Sequence, residues 1–177
     1  MEKQNFLPLR EIIVFSAAAC VFQLSEAIIP KPLPFLRIGI ANIPAFMLVI
    51  TGNLKGALTV SAVRTTASGI LLGNFLSPFY FLSLSGAVSS NLAVAGVISL
   101  KKELFSIPGL AIIGALSSNI TQLLAAYFVL GSQKEVFAFL PLFLLLALPS
   151  GGITGGISYY LIPKWQKFRA EKTGSAA

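Results

Sequence analysis

The sequence contains no histidine, no aspartate, one cysteine and one tryptophan. Charged residues make up 11% of the 177 positions, against about 25% in a typical soluble domain. Each shortage excludes a chemistry. With no His and with Cys20 alone, neither a His/Cys zinc site nor an intrachain disulfide can form. A Ser-His-Asp triad is excluded. So is any reaction that holds a magnesium diphosphate on paired aspartates, because the acidic inventory is Glu2, Glu11, Glu26, Glu103, Glu135 and Glu171. No glycine-rich loop ends in Gly-Lys-Ser/Thr, so there is no P-loop for ATP. The chain reads as a protein that is not an enzyme and carries no cofactor or metal.

What is present is apolar: 55% hydrophobic residues, with 14 Phe. Long uncharged runs predict an all-α, polytopic membrane protein. Backbone amides in hydrocarbon must be satisfied within their own segment, so the runs are helices. Six transmembrane spans are expected at Leu9–Ile29, Leu36–Ile50, Gly56–Leu72, Phe79–Leu100, Ile107–Leu130 and Val136–Ile162. They fill residues 1–177 as a single integral membrane domain. The second and third are short for a hydrocarbon core of about 30 Å; such segments tilt little, thin the bilayer locally or line a cavity rather than face lipid.

The net charge of +7 points to a membrane surface and not to nucleic acid, because of where it falls. With the N-terminus inside, the inner side receives Lys3, Arg10, Lys55, Lys101, Lys102, Lys164, Lys167, Arg169 and Lys172. The outer side receives Lys31, Arg37 and Lys134. This positive-inside bias places both termini in the cytoplasm, with a multi-pass chain between them. The basic stretch from Lys164 to Lys172, beside Trp165, suits an anionic lipid leaflet. Ala17-Ala18-Ala19-Cys20 faintly resembles a lipoprotein cleavage site, but apolar sequence runs on to Ile29, so the first helix is expected to be retained.

Few polar groups interrupt the spans. Arg64 lies near the middle of the third, where a guanidinium costs about 2.5–3.5 kcal/mol even on a lenient insertion scale. Glu26, near the outer end of the first, is its candidate counter-ion. A structural ion pair, an outward-opening anion cavity and snorkelling to the inner surface are all compatible with that placement. Arg37 and Asn42 open the second span, with Gly39 and Ala41 allowing close approach; Arg37 is either an interfacial anchor or a contact for an incoming anion. Gly86-Ala87-Val88-Ser89-Ser90-Asn91 recurs as Gly114-Ala115-Leu116-Ser117-Ser118-Asn119 on the next helix, which runs the opposite way. Two serine-lined faces are expected to cross there, with Asn91 and Asn119 turned into the bundle. The candidate substrate-binding set is therefore Glu26, Arg37, Asn42, Arg64, Asn91 and Asn119. In the sixth segment Gly151/Gly155 and Gly152/Gly156, just after Pro149, form small-residue pairs that predict close helix packing or a hinge.

The run Leu36-Arg37-Ile38-Gly39-Ile40-Ala41-Asn42-Ile43 resembles the signature of the bacterial Gx transporter family. So do Arg64 leading to Gly69-Ile70-Leu71-Leu72-Gly73, and the following Phe81-Leu82-Ser83-Leu84-Ser85-Gly86. Members of that family also carry the label heptaprenyl diphosphate synthase component I. The family is similar to the S components of energy-coupling factor transporters. That resemblance implies a six-helix subunit holding a small polar or anionic micronutrient, with a transmembrane coupling subunit and two ATPases as partners. S components dock through an alanine-xxx-alanine pattern on the first helix; the nearest match here is Ser16-xxx-Cys20. Uptake of such a solute is therefore the expected function, and the synthase label implies the alternative. A chain with no Asp would serve polyprenyl diphosphate synthesis as an accessory membrane subunit without catalytic residues of its own.

Overall fold

The computed structural model describes residues 9–28, 39–101, 104–129, 131 and 134–172. Among them there are helices and turns and no strand. Six α-helices follow in order: α1 Leu9–Ile28, α2 Ile43–Ile50, α3 Leu54–Leu71, α4 Pro78–Lys101, α5 Ile107–Val129 and α6 Leu140–Lys172. Short 3-10 turns at Ile40–Asn42 and Lys134–Phe139 lead into α2 and α6. Four helices, α1, α4, α5 and α6, are long and apolar enough to cross a membrane.

The expected second span is the main departure. α2 has eight residues, about 12 Å at 1.5 Å per residue, less than half of a hydrocarbon core of about 30 Å. Its start is set by Gly39, whose φ of 96° is a left-handed conformation that a side chain would strain. Pro44 then sits in the first turn of α2, where its missing N–H leaves no bond unmade. Every residue from Ile43 to Val49 is buried. Ala45, Phe46, Leu48 and Val49 pack on Ala19 of α1, Ala57 and Val60 of α3, Val94 of α4 and Leu110 and Ala111 of α5. α2 is therefore an internal plug, and its apolarity reflects protein neighbours. Asn53 ends this corner by accepting a hydrogen bond from the Gly56 amide at 2.7 Å, which caps α3.

α6 is the longest element, with 33 residues and both Pro149 and Pro163 inside it. It continues past the expected end at Ile162 through the basic stretch. There Trp165 meets Phe15 of α1 edge to face, with ring centroids 5.4 Å apart, and Arg169 approaches Glu11 at 3.6 Å.

The paired glycines of α6 divide by face. A Cβ on Gly151 would lie 2.6 Å from the Ile112 Cα, and one on Gly155 would lie 2.5 Å from the Pro108 Cα. These two let the α5 and α6 backbones touch. Gly152 and Gly156 have nothing within 4 Å of the same position, so they face away from the bundle. Many large apolar side chains, among them Leu9, Ile13, Ile70, Phe128 and Leu145, stand exposed on the outside of the bundle, as lipid-facing surfaces do.

Candidate functional site

The repeated hexapeptides meet where α4 crosses α5. Ser89 and Ser117, the fourth residue of each copy, face each other with their hydroxyl oxygens 2.6 Å apart. The first and fifth residues interlock reciprocally. A Cβ on Gly86 would lie 2.8 Å from the Ser118 Oγ, and one on Gly114 would lie 2.8 Å from the Ser90 Oγ. An approximate two-fold relation thus runs through the Ser89–Ser117 contact. Glycine in each copy makes the space that serine of the other occupies.

The sixth residues complete the arrangement by reaching outward from the crossing. Asn91 Nδ2 donates to the Ser61 Oγ on α3 at 2.9 Å. Asn119 Nδ2 donates to the Phe143 carbonyl on α6 at 2.7 Å. Both asparagines, together with Asn42, line one polar cavity of about 30 Å³. Space of that size admits one or two water-sized groups, given that about 10–15 Å³ suffices for one. Ser90, Ser118, Gln122, Ser150 and Thr154 also face it, with the Phe46 ring on the apolar side. The sequence reading passed over Gln122 and Thr154. Gln122 had a signal, being an amide within the apolar run of α5, a segment where such a group needs a partner. Its partner is Ser118, whose Oγ accepts from Gln122 Nε2 at 2.8 Å. Thr154 donates to the Gly39 carbonyl at 3.0 Å and so ties α6 to the left-handed turn.

Arg64 and Glu26 do not line this cavity and instead hold the 3-10 turn that carries Asn42. Arg64 is 1% exposed, and its Nη2 donates to Asn42 Oδ1 at 2.8 Å. Glu26, also buried, accepts from the Ala41 amide at 3.0 Å through Oε1. Two consecutive residues of one turn therefore join the carboxylate of α1 to the guanidinium of α3. Asn42 is the link, with its oxygen engaged by Arg64 while the residue also lines the cavity.

Of the other sequence candidates, Arg37 lies outside the described residues, as does Lys31. Ser16 is buried in the bundle and Cys20 is partly buried. Ser16 shares the inward stripe of α1 with Ala19 and Glu26.

A second cavity, of about 220 Å³, lies between α4, α5 and the start of α6. It is lined by Pro78, Phe79, Leu82, Leu123, Ala126, Val129, Val136, Phe139 and Phe143, with Gln122 as the one polar residue among the described ones. A shallower groove between α4 and α5 exposes the Ser89, Ser117 and Thr121 hydroxyls along an apolar floor. There Thr121 donates to Ser89 at 2.7 Å.

The family described as heptaprenyl diphosphate synthase component I matches residues 15–161. The chain belongs to that family. The match begins within α1 and ends within α6, so it takes in the repeat crossing, both cavities and the Arg64–Asn42 link. No curated protein and no solved structure matches the chain.

Proposed function

We propose that this chain is the accessory membrane subunit of a polyprenyl diphosphate synthase and works beside a separate catalytic component. The observation that carries the reading is family membership over residues 15–161 in a chain that has no aspartate. Ionising an allylic diphosphate needs magnesium held on clustered carboxylates. Among the described residues no three His, Cys, Asp or Glu side chains come together. The aspartate-rich machinery then belongs to the partner. The benefit of a membrane subunit follows from the product: each added CH₂ favours an apolar phase by about 0.8 kcal/mol, so a lengthening prenyl chain partitions into the bilayer. A subunit embedded there keeps the soluble synthase where its product dissolves.

In this arrangement α1, α4, α5 and α6 cross the bacterial plasma membrane, and α2 and α3 complete the bundle within it. Both termini face the cytoplasm, which presents the basic end of α6 to the inner leaflet and to the partner. Uptake of a micronutrient is the competing reading. Ligand pockets usually measure about 300–1,000 Å³, whereas the cavity lined by Asn42, Asn91 and Asn119 measures about 30 Å³ and Arg64 is 1% exposed, which favours that reading less.

Affinity purification of the tagged chain from its native membranes tests the assignment. The expected companion is a soluble synthase rich in aspartate clusters, and adding the purified chain in vesicles should raise that synthase's yield of long prenyl diphosphates. Recovery of two ATPases and a membrane coupling subunit in its place would overturn the proposal.

A further inference from the structure

The polar and apolar cavities are neighbours. Gln122 lines both. Phe143 contributes to the apolar wall, while its carbonyl receives the Asn119 side chain that faces the polar side. The Gln122 side chain, with its carbons on the apolar wall, is held in this dividing position by two features of the repeat. Ser118 accepts its Nε2 proton, and Gly86 leaves it room, since a Cβ there would lie 2.5 Å from that nitrogen.

We propose that the two cavities are the two halves of one binding site, for a small amphiphile with an uncharged hydrogen-bonding head and a short hydrocarbon tail. The chemistry of each half sets what it accepts. The polar half offers amide and hydroxyl groups from Asn42, Asn91, Asn119 and Gln122, with Ser and Thr beside them, and among the described residues no charged side chain lines it. A buried ionic head without an opposite charge in contact is strongly disfavoured, so a diphosphate is rejected and an alcohol or carbonyl is accepted. The volume of about 30 Å³ fits a head of that size. An apolar cavity of about 150 Å³ holds a benzene ring, so the tail cavity, at about 220 Å³, takes roughly nine carbons. The Gln122 side chain swings or shares its hydrogen bond at the junction, where head meets tail.

The site is a property of this chain alone, so its test is separate from the search for a partner synthase. Radiolabelled geraniol, a ten-carbon alcohol, is the probe, measured on the full chain in nanodiscs against empty nanodiscs. Saturable binding at one molecule per chain is expected, with geranyl diphosphate and nonane each at least tenfold weaker. Ala126→Phe, which fills the tail cavity, should weaken geraniol at least tenfold; Ala126→Val should give a smaller loss if the larger side chain disturbs folding. Gln122→Leu should weaken geraniol and strengthen nonane, narrowing the difference between them. Geraniol uptake no greater than that of empty nanodiscs would overturn the proposal. So would geranyl diphosphate binding as tightly as geraniol, or geraniol binding that is indifferent to both Ala126→Phe and Gln122→Leu.

Discussion

Replacing Asn42 by Leu isolates the most consequential contact in the bundle. The side chains are close in size, and the backbone at Asn42 (φ −82°, ψ −16°) is right-handed helical space open to leucine. What is lost is the acceptor for Arg64 Nη2, now 2.8 Å away. A hydrogen bond to a charged group contributes about 1.5–3 kcal/mol net, and stripping a partner from a buried charge costs about 3–5 kcal/mol. Arg64 keeps a further interaction, so a loss of about 2–3 kcal/mol is expected. For a chain of this length each kcal/mol moves the midpoint by about 2–4 °C, giving a fall of roughly 5–10 °C. Thermal unfolding followed by circular dichroism in detergent reads it directly. Arg64→Met added to Asn42→Leu removes the stranded charge, so the double variant should recover at least about 1 kcal/mol relative to the sum of the single losses. A midpoint within about 1 °C of the parent for Asn42→Leu, or strict additivity in the double variant, would refute the idea that Asn42 holds the guanidinium in place.

The glycines supply two further tests. Gly155→Val drives a side chain into the Pro108 backbone of α5 and should destabilise by at least about 2 kcal/mol; Gly156→Ala, with open space around it, should stabilise by about 0.5–1 kcal/mol, both read as shifts in unfolding midpoint. Gly39→Ala forces a side chain into φ of +96° and within 3.0 Å of the Thr154 hydroxyl, so a loss of about 1–2 kcal/mol is expected from the backbone term alone. By contrast Arg169→Ala breaks a partly exposed pair at 3.6 Å and should cost less than about 1 kcal/mol. The ion-pair share of that difference should shrink in 1 M salt, where the screening length is about 3 Å, while the share from the Trp165 ring, 5.5 Å from the guanidinium, should remain.

Hydropathy made the long helices legible in the sequence because an uninterrupted apolar run in lipid leaves the backbone little choice. The same signal failed at α2. A run buried by protein and a run buried by lipid have the same composition, so Ile43–Val49 read as part of a span. The positive φ of Gly39 cuts that run, and glycine in the sequence does not disclose its φ. α6 outlasts the expected span for a related reason: charge after Ile162 marks where apolarity stops, whereas the hydrogen-bonded helix carries on to Lys172. Among the four α6 glycines, spacing alone gave two equivalent pairs; neighbouring positions differ by about 100° around a helix, and only the placement of α5 distinguishes Gly151 and Gly155 from the other two. The repeated hexapeptide was the most informative local signal, since its serines and asparagines are the residues that organise the α4–α5 crossing. Gln122 lies three residues beyond the second copy and escaped notice because its role depends on a gap opposite, at Gly86.

The length of α6 has a mechanical consequence. Thirty-three residues reach about 50 Å, and even at a tilt of 40°, the upper end of the usual range, such a helix rises about 38 Å through a hydrocarbon layer of about 30 Å. Set across such a layer, part of it would stand clear of the acyl chains as a post, which the Phe15–Trp165 contact braces just past Pro163. A soluble protein gripping the top of that post would be held at a set height above the lipid.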